Sequence, residues 1–383
     1  MTFSALGWGN YLLFVVLAVV IVLSSVTISY IVDTLGKRTK FSGALVAGTL
    51  VAFVSSLPEF TSSLTSVLAN QDFSGALGNL IGGNIFRTFM LGVICIMFII
   101  AMKKARTSKI QVCLIIIQSL IVVLNIVMMI EFKQFGKFGI WICAGIDALC
   151  LLLYGFLIWF MVRFDKNTHQ DIKEKKELNW LRKTLMRIKI RYVMIIFAMA
   201  SFLIVGSAIC ISFATDWIKE SVGGVFNSAF GSSILLGIVT SIPEIVTVIT
   251  LLRLGDVDAA ITDILGSNMF SLVIMAFIDL ITLRYVNNLW DSWQSIHIEF
   301  WFMMELVFLG GLLLINYLFR HRKIANAGYY ISTTVCLTLL VCCYVISVLQ
   351  ESGIIPLIPF PNLPEPNDNI NVAFNSIFCY QIK

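Results

Sequence analysis

The sequence is poor in charged residues, contains only three histidines and lacks recognisable enzyme motifs. Charged residues make up 13% of its 383 residues, whereas hydrophobic residues make up 58%. A soluble core of this length could not bury so much apolar side chain, which excludes a soluble globular protein. The nine cysteines show no CxxC or Cys/His ligand spacing, so neither a zinc site nor a disulfide framework is indicated. Without a nucleophile–base pair or a phosphate-binding loop, we expect neither enzymatic activity nor a cofactor.

Long apolar runs are present instead, and ten of them are long enough to cross the hydrocarbon core of a bilayer. They lie at about 11–33, 43–68, 75–101, 110–131, 138–162, 192–214, 225–250, 258–282, 298–319 and 327–349. Backbone amides in lipid must be satisfied within their own element, so these runs are predicted to be helices. The sequence therefore predicts an all-α integral membrane protein with ten transmembrane helices.

Basic residues concentrate in one set of alternate loops. These loops hold 21 of the 27 Lys and Arg residues, ten of them between positions 163 and 191. By the positive-inside rule these loops are cytoplasmic, and with an even number of helices both termini are extracellular. The net charge of +5 then reflects membrane orientation, so nucleic acid is not an expected partner.

The longest polar interruption divides the helices into two groups of five. The predicted units are a first five-helix repeat at 1–163, a cytoplasmic basic linker at 164–190, a second five-helix repeat at 191–350 and a Pro-rich C-terminal tail at 351–383. Because five is odd, the two repeats must have inverted topology. Within the linker, Leu178, Leu181, Leu185 and Ile188 recur at helical spacing, which fits either an amphipathic surface helix or a solvated linker.

Two short motifs occur once in each half of the chain. Ser-Ser-Leu-Pro-Glu at 55–59 recurs as Thr-Ser-Ile-Pro-Glu at 240–244, and Gly-Gly-Asn-Ile-Phe at 82–86 recurs as Gly-Ser-Asn-Met-Phe at 266–270. Each copy places a glutamate inside an apolar run, where a carboxylate is costly unless it is paired, ligated or protonated. The recurrence therefore predicts a functional site at the interface of two repeats.

The residue types of the first motif are those that a hard cation prefers. Proline frees helix carbonyls, and the adjacent hydroxyls and carboxylate add further oxygen ligands for Ca²⁺ or Na⁺. The candidate ligands are Ser55, Ser56, Glu59, Thr240, Ser241 and Glu244. The alternative is a proline kink with a glutamate hydrogen-bonded across helices. Asn79, Asn84, Asp263 and Asn268 near the second motif are expensive in lipid, so we expect them to point into the bundle.

Taken together, these motifs resemble the two alpha repeats of the sodium/calcium exchanger family, within the cation/calcium antiporter superfamily. The family pattern is similar to G-T-S-x-P-E followed by G-S-N-x-x-[ND], and the resemblance extends over the ten-helix layout. It implies Ca²⁺/Na⁺ antiport by alternating access, with transported cations and the lipid bilayer as the partners. Carried over by position, the implied ion ligands are Ser55, Ser56, Glu59, Thr240, Ser241, Glu244 and Ser267.

Several positions depart from the family pattern. Val54 and Val239 replace a glycine, Gly83 replaces a ligating serine, and Ser271 and Arg87 replace an Asn or Asp. A guanidinium stays protonated under essentially all conditions, so an inward-pointing Arg87 would act as a tethered cation and alter ion stoichiometry. Loss of transport and snorkelling of Arg87 toward an interface are the alternatives.

Other predictions rest on fewer residues. Asp147 and Glu305 fall within predicted helices and are interpreted as structural acids, while His169, His297 and His321 look interfacial. A proton-coupled cation exchanger and a transport-inactive, exchanger-like membrane protein remain open as functions. The short connection between the halves favours a prokaryotic plasma membrane, and the sequence predicts no oligomeric state.

Overall fold

A computed structural model describes residues 7–39, 41–70, 73–97, 109–135, 139–164, 180–222 and 240–282. The predicted helices at 298–319 and 327–349, the tail at 351–383, Glu305 and the three histidines lie outside the described residues.

Every regular element in the described residues is helical. The elements are α1 (Gly7–Arg38), α2 (Gly43–Val46), a π-helical turn (Ala47–Val51), α3 (Ala52–Asn70), α4 (Phe73–Met97), α5 (Lys109–Phe135), α6 (Gly139–Phe164), α7 (Trp180–Arg187), α8 (Ile190–Val222), α9 (Ile242–Leu254) and α10 (Val257–Thr282). Within this part of the chain, six helical stretches are long and apolar enough to cross a membrane. The prediction of an all-helical membrane protein is confirmed for the described residues.

Helix α10 forms the centre of the bundle. It packs against α2, the π-helical turn, α3, α4, α5, α6 and α9. In its most apolar stretch 78% of the residues are buried, compared with 28% in α1 and 22% in α6. The outer helices instead expose large apolar side chains such as Leu12, Trp141 and Phe202. Such a surface is stable against lipid but not against water, so α1, α6 and α8 face the bilayer.

Two glycines allow α10 to approach the π-helical turn closely. A Cβ atom added to Gly266 would lie 2.5 Å from the carbonyl oxygen of Gly48, and one added to Gly48 would lie 2.5 Å from the Cγ2 atom of Thr262. Backbone therefore packs directly on backbone at this crossing, as in other small-residue contacts between membrane helices. The contact holds α10 beside the segment that leads into the first Pro-Glu motif.

Replacing Gly266 with alanine is expected to lower the free energy of unfolding by about 2 kcal/mol, because the methyl group would push two backbones apart. Gly155 of α6 provides a matched control, since nothing lies within 4 Å of a Cβ atom built there. Gly155→Ala should stabilise the protein by about 0.5–1 kcal/mol through helix propensity. Thermal unfolding of both variants in detergent measures the difference, and equal effects would contradict the close contact.

The turn between α9 and α10 follows from two residues. Gly255 ends α9 with φ of 87°, a left-handed conformation that glycine adopts without steric cost. Asp256 then caps α10, because its carboxylate accepts a hydrogen bond from the backbone N–H of Ala259 at 3.1 Å. This short turn makes α9 and α10 adjacent helices and brings the second copies of both motifs together.

The linker contains a helix, which supports the first of the two interpretations made from the sequence. Helix α7 buries Leu185, and Leu181 of this helix and Ile188 just after it pack against the core shared by α1, α8 and α9. Arg38 at the end of α1 donates hydrogen bonds to the carbonyls of Leu185 and Ile188, at 3.0 and 2.6 Å. Residues 165–179 of the linker lie outside the described residues.

The two Pro-Glu motifs have different backbone settings. Helix α3 continues through Pro58, and the irregular backbone of the first copy is the π-helical turn that precedes α3. In the second copy the chain turns at Ser241, so Pro243 and Glu244 lie in the first turn of α9. Glu244 is therefore near the positive end of a helix dipole, whereas Glu59 is in a helix interior.

Candidate ion-binding site

The guanidinium of Arg87 lies between the two motif glutamates. Its Nη1 atom donates to both carboxylate oxygens of Glu59, at 2.7 and 2.8 Å. The same atom is 3.4 Å from Oε1 of Glu244. All three side chains are 0% exposed, so this is a fully buried ion-pair cluster. A buried charge requires such partners, and Glu59 is the nearer of the two acids.

The second copy of the motifs supplies further partners for Arg87. Its Nη2 atom donates to Oγ of Ser271 at 2.6 Å, and its Nε atom donates to Oδ1 of Asn268 at 2.9 Å. On its own helix, Nη2 also donates to Oδ1 of Asn84 at 2.7 Å. The planar guanidinium is thus fixed in orientation by groups on α4 and α10.

Hydroxyl groups complete the contacts between the two motif copies. Thr240 donates to Oε1 of Glu59 at 3.4 Å, and Ser271 donates to Oε2 of Glu59 at 3.2 Å. The hydroxyls of Ser55 and Ser267 are 3.3 Å apart. Side chains from α3, α4 and α10, with Thr240 and Glu244 from the second Pro-Glu motif, therefore meet in one polar cluster inside an apolar bundle, which we call the central chamber.

Gly83 leaves room for the guanidinium. A Cβ atom built on Gly83 would lie 3.1 Å from Oε1 of Glu59 and 3.5 Å from Nη2 of Arg87. A serine here, as in the family pattern, would have to share this space with the arginine. The two departures from the pattern, Gly83 and Arg87, are therefore physically linked.

Several buried oxygens near the motifs have no hydrogen-bond partner among the described residues. They are the hydroxyls of Ser56 and Ser241, Oδ1 of Asn79, Oε2 of Glu244 and both carboxylate oxygens of Asp263. Ser241 is the residue at the start of α9, yet its hydroxyl does not cap that helix. Unsatisfied buried oxygens are costly, so these oxygens are candidates to bind a donor or a cation.

The structure brings most of the residues singled out from the sequence into contact and places others elsewhere. Ser55, Glu59, Asn84, Arg87, Thr240, Glu244, Ser267, Asn268 and Ser271 are linked to one another directly by hydrogen bonds or ion pairs. Asn79 instead donates to the hydroxyls of Ser62 and Ser63, at 2.9 and 3.1 Å. Val54 packs in an apolar core, and Val239 lies outside the described residues. Snorkelling of Arg87 is wrong, because its side chain is held in the interior.

One pair of acids shows a relationship that the sequence did not reveal. Asp147 on α6 and Asp279 on α10 are buried, lie within electrostatic reach of each other and have carboxylate oxygens without hydrogen-bond partners in the described region. Asp279 was missed because it falls outside both motifs. The approach of α6 to α10 was the only signal that could have found it, and that approach is a tertiary contact.

Apolar helices around a buried, charged and oxygen-lined centre define an integral membrane protein with an intramembrane ion site. A sequence model described as sodium/calcium exchanger protein matches residues 9–163 and 192–350. The chain therefore belongs to the sodium/calcium exchanger family, a family of membrane antiporters that move inorganic cations. A search of curated protein sequences found no match.

Solved structures of the sodium-calcium exchanger NCX_Mj share the fold. The structure soaked with 100 mM Na⁺ and 10 mM Sr²⁺ is 14% identical with a TM-score of 0.60, and the match covers 90% of this chain and 98% of that one. The structure soaked with 2.5 mM Na⁺ and 0.1 mM Ca²⁺ is 15% identical with a TM-score of 0.59, covering 91% and 98%. At this identity the likeness establishes the fold alone.

Proposed function

We propose that this protein is a secondary active antiporter that exchanges Ca²⁺ against Na⁺ by alternating access, with Arg87 in place of one bound cation. Membership of the sodium/calcium exchanger family supports the class of transport. The proposal that Arg87 takes the place of one bound cation rests on the position of its guanidinium, which contacts Glu59 at 2.7 Å and Glu244 at 3.4 Å. A covalently attached cation occupies the position where mobile cations would otherwise neutralise these acids.

The proposed architecture extends the arrangement of the described helices to the whole chain. It has ten transmembrane helices in two inverted repeats, at 1–163 and 191–350, with a cytoplasmic linker at 164–190 and a tail at 351–383. Both termini are extracellular, and the membrane is a prokaryotic plasma membrane. The concentration of Lys and Arg in alternate loops supports this orientation, and the duplicated motifs support the repeats.

The proposed mechanism requires only shared ligands. Glu59 and Glu244, with the hydroxyls of Ser55, Ser56, Thr240, Ser241 and Ser267, bind Ca²⁺ and Na⁺ in alternation. One ion must then leave before the other can enter, and only occupied forms rearrange between the two sides of the membrane. Because Arg87 neutralises one carboxylate, fewer mobile charges are needed per cycle than with two uncompensated acids. A proton is the main rival to Na⁺ as the driving ion.

A transport-inactive role is favoured by a different observation. Each nitrogen of the Arg87 guanidinium has a buried acceptor, and these acceptors come from both motif copies. Such a network could hold the two halves of the chamber together permanently. The protein would then act as a membrane sensor or assembly partner that keeps the exchanger fold.

Counterflow in proteoliposomes separates these functions. We expect purified protein to accumulate labelled Ca²⁺ when an outward Na⁺ gradient is imposed, and Glu244→Gln to abolish this uptake. Gly155→Ala serves as the control, because nothing lies within 4 Å of the position where its methyl group would be placed. Uptake driven only by a proton gradient would identify a proton-coupled exchanger, and no uptake under either gradient would identify an inactive protein.

A further inference from the structure

The central chamber is electrostatically asymmetric. Arg87 makes a two-oxygen contact with Glu59 at 2.7 and 2.8 Å but reaches only one oxygen of Glu244, at 3.4 Å. Oε2 of Glu244 has no hydrogen-bond partner among the described residues. The arginine therefore neutralises the acid of the first motif copy and leaves the acid of the second copy with uncompensated charge.

Asp263 lies on the face of α10 that lines the chamber, within electrostatic reach of Glu244. It is on the same face of α10 as Ser267 and Ser271, because residues four apart in a helix point the same way. Ser271 binds Arg87 and Glu59, and Ser267 is 3.3 Å from Ser55, so this face of α10 lines the chamber. Asp263 is 0% exposed and lies within electrostatic reach of Glu244 and Arg87.

The matching position in the first motif copy shows which hydrogen-bonding groups Asp263 lacks among the described residues. Asn79 occupies that position, and its amide nitrogen donates to the hydroxyls of Ser62 and Ser63, at 2.9 and 3.1 Å. In the second copy, the positions of these two serines are occupied by Thr247 and Val248. Thr247 uses its hydroxyl to donate to the carbonyl of Pro243 at 2.8 Å. The second copy thus has a carboxylate where the first has an amide, while the hydroxyl of Thr247 is used elsewhere and Val248 has none.

We infer that the exchanged divalent cation binds between Glu244 and Asp263, in the half of the chamber formed by the second motif copy. This inference rests on the proposed function, adds Asp263 as a ligand of the divalent cation, and assigns Glu59 to Arg87 instead of to that cation. The hydroxyls of Ser56 and Ser241 have no hydrogen-bond partner in the described residues and supply further oxygens. Arg87 and Glu59 form the other half, as a neutral internal pair.

The charge balance favours a divalent ion. Glu244 and Asp263 together carry two negative charges that Arg87 does not neutralise, which matches one Ca²⁺. Within the described residues, no group of three or more His, Cys, Asp and Glu side chains is arranged to hold a metal ion. Hydroxyl, carbonyl and water oxygens must therefore complete the six to eight ligands that Ca²⁺ typically takes.

The test measures Ca²⁺ binding to the purified full chain in detergent, by calorimetric titration with Ca²⁺ alone. Asp263→Asn is expected to weaken binding about ten- to a hundredfold, the effect of removing one charged ligand. Asp279→Asn is the matched control, because Asp279 is also buried on α10 and its carboxylate has no hydrogen-bond partner within the described part of the chain. It lies about 24 Å further along that helix, so its loss should leave binding unchanged.

Each outcome decides the inference. Equal Ca²⁺ affinity in wild type and Asp263→Asn would overturn it, as would absence of Ca²⁺ binding by the wild type. If Asp263→Asn does not fold, carbodiimide labelling of the wild type replaces it. Ca²⁺ should then protect Asp263 and Glu244 from modification, and labelling of Asp263 that is indifferent to Ca²⁺ would overturn the inference.

The Ca²⁺-binding inference and the antiport proposal can fail independently of each other. If Ca²⁺ binds in a manner that depends on Asp263 but is not transported, the inference stands and the antiport proposal fails. If antiport proceeds and Asp263→Asn binds Ca²⁺ as the wild type does, the antiport proposal stands and the inference fails.

Discussion

Replacing Glu59 with glutamine is expected to lower the free energy of unfolding by about 3 kcal/mol or more. The change removes the closest acid of the buried Arg87 guanidinium, at 2.7 Å, and leaves the longer contact to Glu244, at 3.4 Å. Removing one partner of a buried ion pair typically costs about 3–5 kcal/mol, because the other charge stays buried without compensation. Thermal or denaturant unfolding of the purified protein in detergent measures the loss.

Two further variants show whether the loss comes from the ion pair. The double variant Glu59→Gln/Arg87→Gln removes both charges, so a double-mutant cycle should give a coupling energy of about 2–3 kcal/mol. Asp33→Asn breaks the pair between buried Asp33 and Lys37, whose atoms are 2.9 Å apart. Because Lys37 is 41% exposed and water can solvate its charge, this change should cost less than Glu59→Gln. Additive effects of the two chamber substitutions would show that Arg87 and Glu59 are not energetically coupled.

Replacing Arg87 with asparagine is expected to make the stability of the protein depend strongly on bound ions. Without the guanidinium, Glu59 and Glu244 repel each other unless mobile cations enter the chamber. A ligand at about 100 times its dissociation constant stabilises the folded state by about 2.7 kcal/mol, which should appear as an ion-dependent melting temperature. Na⁺ and Ca²⁺ titrations of melting temperature, together with the Na⁺ dependence of Ca²⁺ uptake, measure the change.

Gly83 provides the companion variant. Gly83→Ser in the wild type should be unfavourable, because a Cβ atom there lies 3.1 Å from Glu59 and 3.5 Å from Arg87. The same change should be tolerated in Arg87→Asn, where its hydroxyl becomes a further oxygen ligand and tightens ion binding. Ion dependence that is unchanged in Arg87→Asn would remove the arginine from the transport proposal.

The recurrence of the motifs was enough to predict most of the chamber. Glu59 and Glu244 are costly in lipid, and their appearance at matching places predicted that they would meet. The structure places both beside Arg87, at 0% exposure. The all-helical fold class could also be predicted from the sequence, because a hydrophobic run of this length in lipid can satisfy its backbone hydrogen bonds only as a helix.

Other features depend on tertiary contacts that one sequence does not reveal. The direction of Arg87 was open between the chamber and an interface, because a long side chain on α4 can reach either. The proximity of Asp147 and Asp279 depends on how α6 crosses α10. The π-helical turn before α3 was not predicted, because no local sequence signal marks it; it coincides with the close backbone crossing at Gly48 and Gly266, which is a tertiary contact.

The covalent attachment of Arg87 to α4 has an electrical consequence for the proposed transport cycle. A mobile cation crosses the whole membrane potential, whereas a guanidinium fixed to a helix senses the potential only as far as that helix moves. Each turnover should then carry one elementary charge fewer than a cycle in which a free ion takes its place. That charge is worth about 2.3 kcal/mol at about 100 mV, so membrane voltage should drive this protein less strongly.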